Sequence, residues 1–63
     1  MALKLKAARV NAELTQKEAA KCLGISKGTL SNYENYTTKP DIEMGQKIAT
    51  LYGMAVDDIA WNE

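Results

Sequence analysis

Apolar residues in the first part of the chain recur at the spacing of an amphipathic helix. Two neighbouring stripes have this spacing: Leu5, Ala8 and Ala12 in one, and Leu3, Ala7, Val10 and Leu14 in the other. The alternation from Leu3 to Lys6 is typical of a strand over four residues, but the alanines that follow are better suited to a helix. We therefore predict a helix over residues 3 to 14.

Two short helices follow, separated by a glycine. Thr15 and Glu18 have the spacing of a capping box, which predicts a helix from about Gln16 to Leu23. Gly24 can adopt the left-handed conformation that ends a helix. Ser26 is suited to cap the next helix, from about Lys27 to Glu34.

The second half of the chain begins with a polar loop over residues 35–40. Asp41 is suited to cap a fourth helix that ends near Tyr52, with Gly53 just beyond it. One face of this helix is apolar or small: Ile42, Gly45, Ile48, Ala49 and Tyr52. Residues Val56 to Trp61 are predicted as a fifth, short helix with two acids in its first turn. The pattern predicts a compact, all-α, five-helix domain over residues 1–63.

The composition fits one small globular domain. Of the 63 residues, 46% are apolar and 25% are charged. Cys22 is the only cysteine, so no disulfide can form within the chain and a reducing cytoplasm is the expected compartment. The longest nearly apolar stretch, Ile48 to Val56, is far shorter than the roughly 20 residues of a membrane helix. We expect a soluble cytoplasmic protein that does not associate with membranes.

The charges are divided unevenly between the two parts of the chain, although the formal net charge is zero. Residues 1–39 contain seven basic and three acidic side chains, whereas residues 40–63 contain one basic and five acidic side chains. Such a chain can present one basic face to a polyanion. Two ordinarily solvated surfaces would give the same counts, so charge alone does not decide between these interpretations.

The two short helices and their glycine turn match the requirements of a helix-turn-helix. That motif needs a small residue where the helices cross, glycine in the turn and apolar anchors that seat the second helix. The candidates are Ala20 for the crossing and Gly24 for the turn, with Ala19 and Leu23 on the inner side. The anchors of the second helix are Ile25, Leu30 and Tyr33. All these positions are filled in one register, which makes the signal strong.

These residues resemble the phage repressor and Cro-like helix-turn-helix family, also described as XRE-type or lambda repressor-like. The resemblance is carried by the runs Leu14 to Ala20, Leu23 to Ser26, Leu30 to Asn35, Pro40-Asp41 and Tyr52 to Ile59. It implies a five-helix domain whose third helix reads the DNA major groove, commonly as a two-fold dimer. The sequence departs from the family pattern at Glu13 and Tyr36, where glycine is usual, and at Ala55, where Ser or Thr often caps.

The second helix of the motif is expected to contact bases. Because Leu30 and Tyr33 turn inward, four polar or small residues face outward: Lys27, Gly28, Ser31 and Asn32. Lys27 is suited to guanine O6 and N7, and Asn32 to adenine N6 and N7. Gly28 is open to two interpretations, an indifferent surface residue or a glycine that permits close approach to DNA.

Contacts to the DNA backbone are expected from residues around the motif. The resemblance assigns Gln16 to a phosphate at the start of its helix, where backbone N–H groups and the helix dipole favour an anion. Further candidates are Lys17, Thr29, Asn35 and Lys39, although Lys39 is nearly as well explained as a solvated loop lysine. The resemblance also implies a structural ion pair between Arg9 and Glu34.

The operator should be double-stranded and nearly palindromic, bound by a homodimer with half-sites about 34 Å apart. Candidates for the dimer interface are Val56, Ile59 and Trp61, although Ile59 is better explained as part of the core of one chain. A protein-interaction module on the same fold, such as an antirepressor or antitoxin-like partner, is the alternative function. Size and the ending Trp61-Asn62-Glu63 fit a complete Cro-like protein and part of a longer repressor equally well.

No cofactor, metal, small-molecule ligand or catalytic activity is expected. The chain has no histidine, and Cys22, which we expect to be partly buried, can make neither a metal site nor a Cys–His nucleophile alone.

Overall fold

Four α-helices make up most of the computed structural model, which describes residues 2–63. The helices are α1 (Leu5–Asn11), α2 (Gln16–Leu23), α3 (Lys27–Glu34) and α4 (Ile42–Tyr52), followed by a 3₁₀ turn at Val56–Asp58. Two short strands, β1 (Leu3–Lys4) and β2 (Ile59–Ala60), pair in parallel, with Leu3 opposite Ile59 and Lys4 opposite Ala60. The predicted bounds of α2, α3 and α4 are therefore confirmed.

The predictions for the two ends of the chain are wrong in detail. Leu3 and Lys4 form a strand instead of the first turn of α1, and Val56 to Trp61 forms a 3₁₀ turn and a strand instead of a fifth helix. The physical reason is that the two ends pair with each other, so backbone hydrogen bonds across the chain replace those within a helix. The domain is mostly helical, as the pattern predicts, but residues 2–63 form four α-helices instead of five.

Local caps determine where the middle helices begin and end. The Thr15 hydroxyl accepts from the backbone N–H of Glu18 at 3.1 Å, and the Glu18 carboxylate accepts from the N–H of Thr15 at 2.9 Å. The backbone N–H of Thr15, which donates to the Glu18 carboxylate, and the nearby Thr15 hydroxyl lower the pKa of Glu18. Ser26 caps α3 and Asp41 caps α4 in the same way, each accepting from a backbone N–H three residues on. Gly24 ends α2 in the left-handed conformation.

Two turns contain left-handed residues other than glycine. Glu13 has a φ of 61° and Tyr36 has a φ of 59°, at the two positions where the resemblance leads one to expect glycine. For Tyr36 the structure supplies a reason. Its hydroxyl accepts from the backbone N–H of Leu5 at 3.2 Å and donates to the carbonyl of Ala60 at 2.9 Å. This one side chain therefore links the start of α1 to β2, which a glycine could not do.

The core lies between the four helices and the strand pair. Its largest fully buried side chains are Leu5, Leu30 and Ile48. Alanines at buried positions of α1, α2 and α4 allow the helices to approach closely. Tyr52 is also buried, and its hydroxyl has no hydrogen-bond partner. Burial, reinforced by the charge of Glu34, raises the pKa of Tyr52 to about 12.

One side chain of the predicted apolar face is exposed, and one prediction of burial is wrong. Ile42, assigned to one face of the fourth helix together with Gly45, Ile48, Ala49 and Tyr52, is 83% exposed, whereas the other four are buried. Cys22, expected to be partly buried, is exposed on the outer side of α2, while its neighbour Leu23 points into the core.

Candidate nucleic-acid interface

The three residues between α2 and α3 produce a tight turn. Gly24 has a φ of 72°, and the backbone N–H of Ile25 donates to the carbonyl of Ala20 at 3.1 Å. Ser26 then caps α3, so the second helix starts at Lys27 without a longer loop. Ala20 is buried, as the close crossing of the two helices requires. The small residue and the turn glycine therefore have the roles that the sequence predicts.

Leu30 holds α3 against the rest of the domain. Its side chain is fully buried, and Ile25 and Tyr33 pack against the same core. Because these anchors occupy the inner side of α3, its other side faces outward. Two short helices that cross at a glycine turn, with the second seated on apolar anchors and polar on its outer face, define a helix-turn-helix domain.

The outward side of α3 carries the four residues predicted to contact bases. Lys27, Gly28 and Asn32 are exposed, and Ser31 is half-buried. The Ser31 hydroxyl accepts from the side-chain amide of Asn35 at 3.4 Å. The backbone carbonyl of Asn32 accepts from the N–H of Thr37 at 2.9 Å, which anchors the end of the helix to the loop that follows. The structure thus brings all four residues together on one accessible face.

Nothing inside the domain explains the glycine at position 28. A methyl group added there would contact only the Ser26 hydroxyl, at 3.9 Å, which is an ordinary van der Waals distance. Gly28 also lies inside α3 and is not one of the residues with positive φ. Neither packing nor backbone conformation therefore requires glycine here.

Gln16 takes part in a hydrogen-bond network that the sequence did not reveal. Its side-chain amide donates to the Glu34 carboxylate at 3.1 Å, while Arg9 Nε donates to the same carboxylate at 2.7 Å. Arg9 also donates to the carbonyl of Leu14 at 2.8 Å. The Arg9–Glu34 ion pair that the resemblance implies is present, and it is nearly buried, with side chains 10% and 4% exposed. The ion pair joins α1 to α3, and the hydrogen bond from Gln16 connects α2 to the same carboxylate.

This network changes what Gln16 can offer to a phosphate. One N–H of its amide already donates to Glu34, so the donors left at the start of α2 are the second N–H of this amide and the free backbone N–H groups. The Thr29 hydroxyl is likewise engaged, at 2.8 Å from the hydroxyl of Ser26. Lys17, Asn35 and Lys39 are exposed.

The three residues predicted for a dimer interface have different environments. Ile59 is only 3% exposed, because it lies in the core next to β1. Val56 is 39% exposed, and Trp61 is half-buried with its indole N–H donating to the Val56 carbonyl at 2.9 Å. Beside them is an apolar groove of about 310 Å³. We call it the Trp61 groove; its walls include Pro40, Ile42, Gly45, Gln46, Val56 and Trp61.

Comparison with known proteins agrees with this geometry. A family model described as helix-turn-helix matches residues 5–59. The chain belongs to this helix-turn-helix family, of the XRE type, which is a family of DNA-binding transcription regulators.

Three relatives illustrate the similarity. The HTH-type transcriptional regulator ImmR of Bacillus subtilis is 44% identical over 54 residues, covering 86% of this chain and 42% of ImmR. The cryptic phage CTXphi transcriptional repressor RstR of Vibrio cholerae is 34% identical over 56 residues, covering 89% of this chain and 50% of RstR. An uncharacterized HTH-type transcriptional regulator of Methanocaldococcus jannaschii is 38% identical over 56 residues, covering 89% of this chain and 85% of that protein.

The chain spans half or less of the length of ImmR and RstR. No solved structure matches it. Among residues 2–63, no helix has the length and apolar character needed to cross a membrane.

Proposed function

We propose that this domain binds double-stranded DNA in a sequence-specific manner and acts as a transcriptional repressor, with α3 in the major groove. The observation that carries the proposal is the outward face of α3, where Lys27, Gly28, Ser31 and Asn32 are grouped on a helix seated by buried Leu30. A major groove about 12 Å wide admits such a helix. The regulator and repressor names of the relatives support the same role.

In this proposal Lys27 and Asn32 provide most of the base discrimination. Asn32 is exposed in the last turn of α3, and its backbone carbonyl accepts a hydrogen bond from the N–H of Thr37, so the side chain starts from a defined position. An asparagine amide can donate to adenine N7 and accept from adenine N6. Lys27 lies in the first turn of the same helix and is suited to guanine.

Backbone contacts would set the position of α3 in the groove. The start of α2 offers its N–H groups to one phosphate, and Lys17, Thr29, Asn35 and Lys39 extend the contact on either side. The Gln16 side chain acts on this contact through Glu34, because their hydrogen bond fixes the start of α2 relative to the end of α3.

We further propose that the protein binds as a homodimer to a nearly palindromic operator. One domain measures 28 × 23 × 19 Å, so two domains on half-sites about 34 Å apart would lie nearly in contact. Val56 and Trp61 are accessible for such a contact, whereas Ile59 would support it from the core.

A protein-interaction module is the second candidate function. The observation that favours it is the net charge of zero, which provides no overall attraction to DNA. Salt dependence separates the two functions. Binding to DNA through its phosphates weakens steeply as the salt concentration rises, whereas binding to a protein through an apolar or uncharged polar face need not weaken.

The proposal is tested by selecting a binding site from random DNA and then measuring variants on it at fixed salt. Asn32→Ala should lose about 1–3 kcal/mol on the selected operator and discriminate less at one base pair in each half-site. Gln16→Ala should weaken binding to all sequences alike. Asn62→Ala removes an exposed asparagine beyond β2 and should bind as the unchanged protein does.

Two results would overturn the proposal. One is the failure of random DNA to yield any preferred sequence. The other is an Asn32→Ala variant that folds normally and keeps full discrimination at every base pair.

A further inference from the structure

Tyr36 connects the loop that follows α3 to both ends of the chain. Within residues 2–63, the other hydrogen bonds of residues 35–38 all lead back to α3 itself. The Tyr36 phenol instead reaches other elements: its oxygen accepts from the N–H of Leu5, and its O–H donates to the carbonyl of Ala60. Tyr36 is half-buried, whereas its neighbours on either side in the loop are exposed. One side chain therefore fixes the position of this loop relative to the rest of the domain.

The two partners of the phenol lie where β1 and β2 pair. Leu5 is the first residue of α1 and directly follows β1, and the residue at the N-cap of that helix, Lys4, makes no side-chain cap. Ala60 is in β2, opposite Lys4. Leu5 and Ala60 are close to opposite ends of the sequence, so pairing of the strands is what brings both within reach of one hydroxyl. If the strands separated, the hydroxyl could keep at most one of its two hydrogen bonds.

The backbone of Tyr36 gives an independent reason to assign this side chain a role. Its φ of 59° lies in the left-handed region, which is unfavourable for a residue with a side chain. Glycine adopts this conformation readily and is usual at this position in the family that the sequence resembles. A residue with a side chain stays in such a conformation only when the surrounding structure imposes it. Here the two hydrogen bonds of the phenol hold the residue in place.

The loop adjoins the surface that we propose for DNA. Asn35 and Lys39 are exposed, are proposed above to contact phosphates, and lie on either side of Tyr36 in the sequence. A loop that the phenol already holds loses less conformational entropy when it meets the DNA backbone than a loop attached only to the end of α3. The phenol can therefore affect DNA affinity without touching DNA.

We propose that Tyr36 is a positioning residue for DNA binding, and that its phenol couples the binding of DNA to the pairing of β1 with β2. The inference rests on the proposed function, because the coupling acts through the phosphate contacts of Asn35 and Lys39. Such coupling is reciprocal. Paired strands hold the loop in the position that DNA requires, and bound DNA holds the loop so that the phenol keeps the two strands together.

The test removes the Tyr36 hydroxyl and leaves the ring in place. Tyr36→Phe makes this change, and two other variants are controls. Tyr52→Phe is the matched control, since it removes a buried tyrosine hydroxyl that has no hydrogen-bond partner. Ile48→Val removes one methyl group from the core and should lower stability without altering the phenol of Tyr36. Circular dichroism at the temperature of the binding assay confirms that each variant is folded.

We expect Tyr36→Phe to bind the selected operator about five- to tenfold more weakly, at the lower end of the coupling measured between sites in proteins. The loss should be equal on operators with single-base changes, because phosphate contacts carry no sequence information. The salt dependence of the affinity should also become shallower, since Lys39 meets its phosphate less often. Tyr52→Phe and Ile48→Val should bind within about twofold of the unchanged protein.

Hydrogen exchange of the Leu5 amide, followed by NMR, measures the coupling in the unchanged protein. This N–H donates to the phenol, so it exchanges with solvent when the phenol is released. Because the coupling is reciprocal, saturating operator DNA should slow this exchange by the same factor, about five- to tenfold. In Tyr36→Phe the hydroxyl is gone, and DNA should change the exchange of this amide by less than about twofold. A purely structural role of Tyr36 would not produce this difference.

The inference is overturned if folded Tyr36→Phe binds the operator as tightly as the unchanged protein, or if DNA leaves the exchange of the Leu5 amide unchanged. It is also overturned if Ile48→Val loses as much affinity as Tyr36→Phe, because lower stability would then account for both losses. These results leave the proposed function intact. An unchanged protein that binds no DNA sequence would overturn the proposed function and this inference together.

Discussion

Replacing Gly28 with alanine should change stability and DNA affinity in opposite directions. A glycine within a helix is less favourable than alanine by about 0.5–1 kcal/mol. The added methyl group would contact only the Ser26 hydroxyl, at 3.9 Å, so no clash opposes this gain. The free energy of unfolding should therefore rise by about 0.5–1 kcal/mol, which for a domain of this size raises the Tm by about 2–8 °C.

The same methyl group would stand on the outward face of α3 between Lys27 and Ser31. If that face is pressed against the wall of the major groove, the methyl group occupies space that the DNA needs. We expect the affinity for the selected operator to fall at least about tenfold, equivalent to about 1.4 kcal/mol. Of the two interpretations of Gly28, only close approach to DNA makes a glycine at this position necessary for binding.

The assay combines thermal unfolding with operator titration at one salt concentration. Thr50→Ala is the matched control, because it replaces an exposed β-branched residue of α4 with a better helix former, away from α3. It should raise stability without loss of affinity. A Gly28→Ala protein that is more stable and binds as tightly as the original would refute close approach and leave Gly28 as indifferent surface. A less stable one would refute the argument from helix propensity.

Three further substitutions test the fold. Tyr36→Phe should lower the free energy of unfolding by about 1–3 kcal/mol in urea titrations, because it leaves the N–H of Leu5 and the carbonyl of Ala60 without their partner. Tyr52→Phe removes a buried hydroxyl that has no partner and should be neutral or stabilising by up to about 1 kcal/mol. Burial raises the pKa of Tyr52 from 10.0 to about 12, so the unfolded chain loses this proton at a lower pH than the folded one. The free energy of unfolding should therefore be unaffected by this group below pH 10 and fall as pH rises from 10 through 12, and alkaline unfolding curves should show that part of the loss only in the original protein. Glu13→Gly should raise the Tm measured by calorimetry, since Glu13 has a φ of 61° and a left-handed residue with a side chain costs about 1–2 kcal/mol; a lower Tm would contradict this reasoning.

The middle of the fold could be predicted from the sequence because its signals are local. Thr15, Ser26 and Asp41 each bond a backbone N–H three residues away, so the start of a helix depends on a few adjacent residues. The outward position of Asn32 follows in the same way from helical periodicity around Leu30. For these elements, tertiary packing and local preference agree.

The remaining features depend on contacts between distant parts of the chain. Leu3 and Ile59 become strand residues only because they meet each other, and no local pattern encodes that meeting. The bond from Gln16 to Glu34 likewise joins two helices, and its geometry follows from how they cross. The exposure of Ile42 could not be read from a periodic pattern, because periodicity gives the direction of a side chain but not whether a neighbouring element covers it.

The pairing of β1 with β2 has a consequence for the order of folding. Leu3 and Ile59 are 56 positions apart, so their contact closes a loop that contains nearly the whole domain. Closing such a loop has a high entropic cost until the intervening helices have packed, whereas α2 and α3 are neighbours in sequence and can associate early. On the ribosome, a growing chain could therefore form its helix-turn-helix before β2 has been synthesised. Attachment of β1 would wait for β2 to emerge, and amide protons in the two strands should exchange with solvent before those of the central helices.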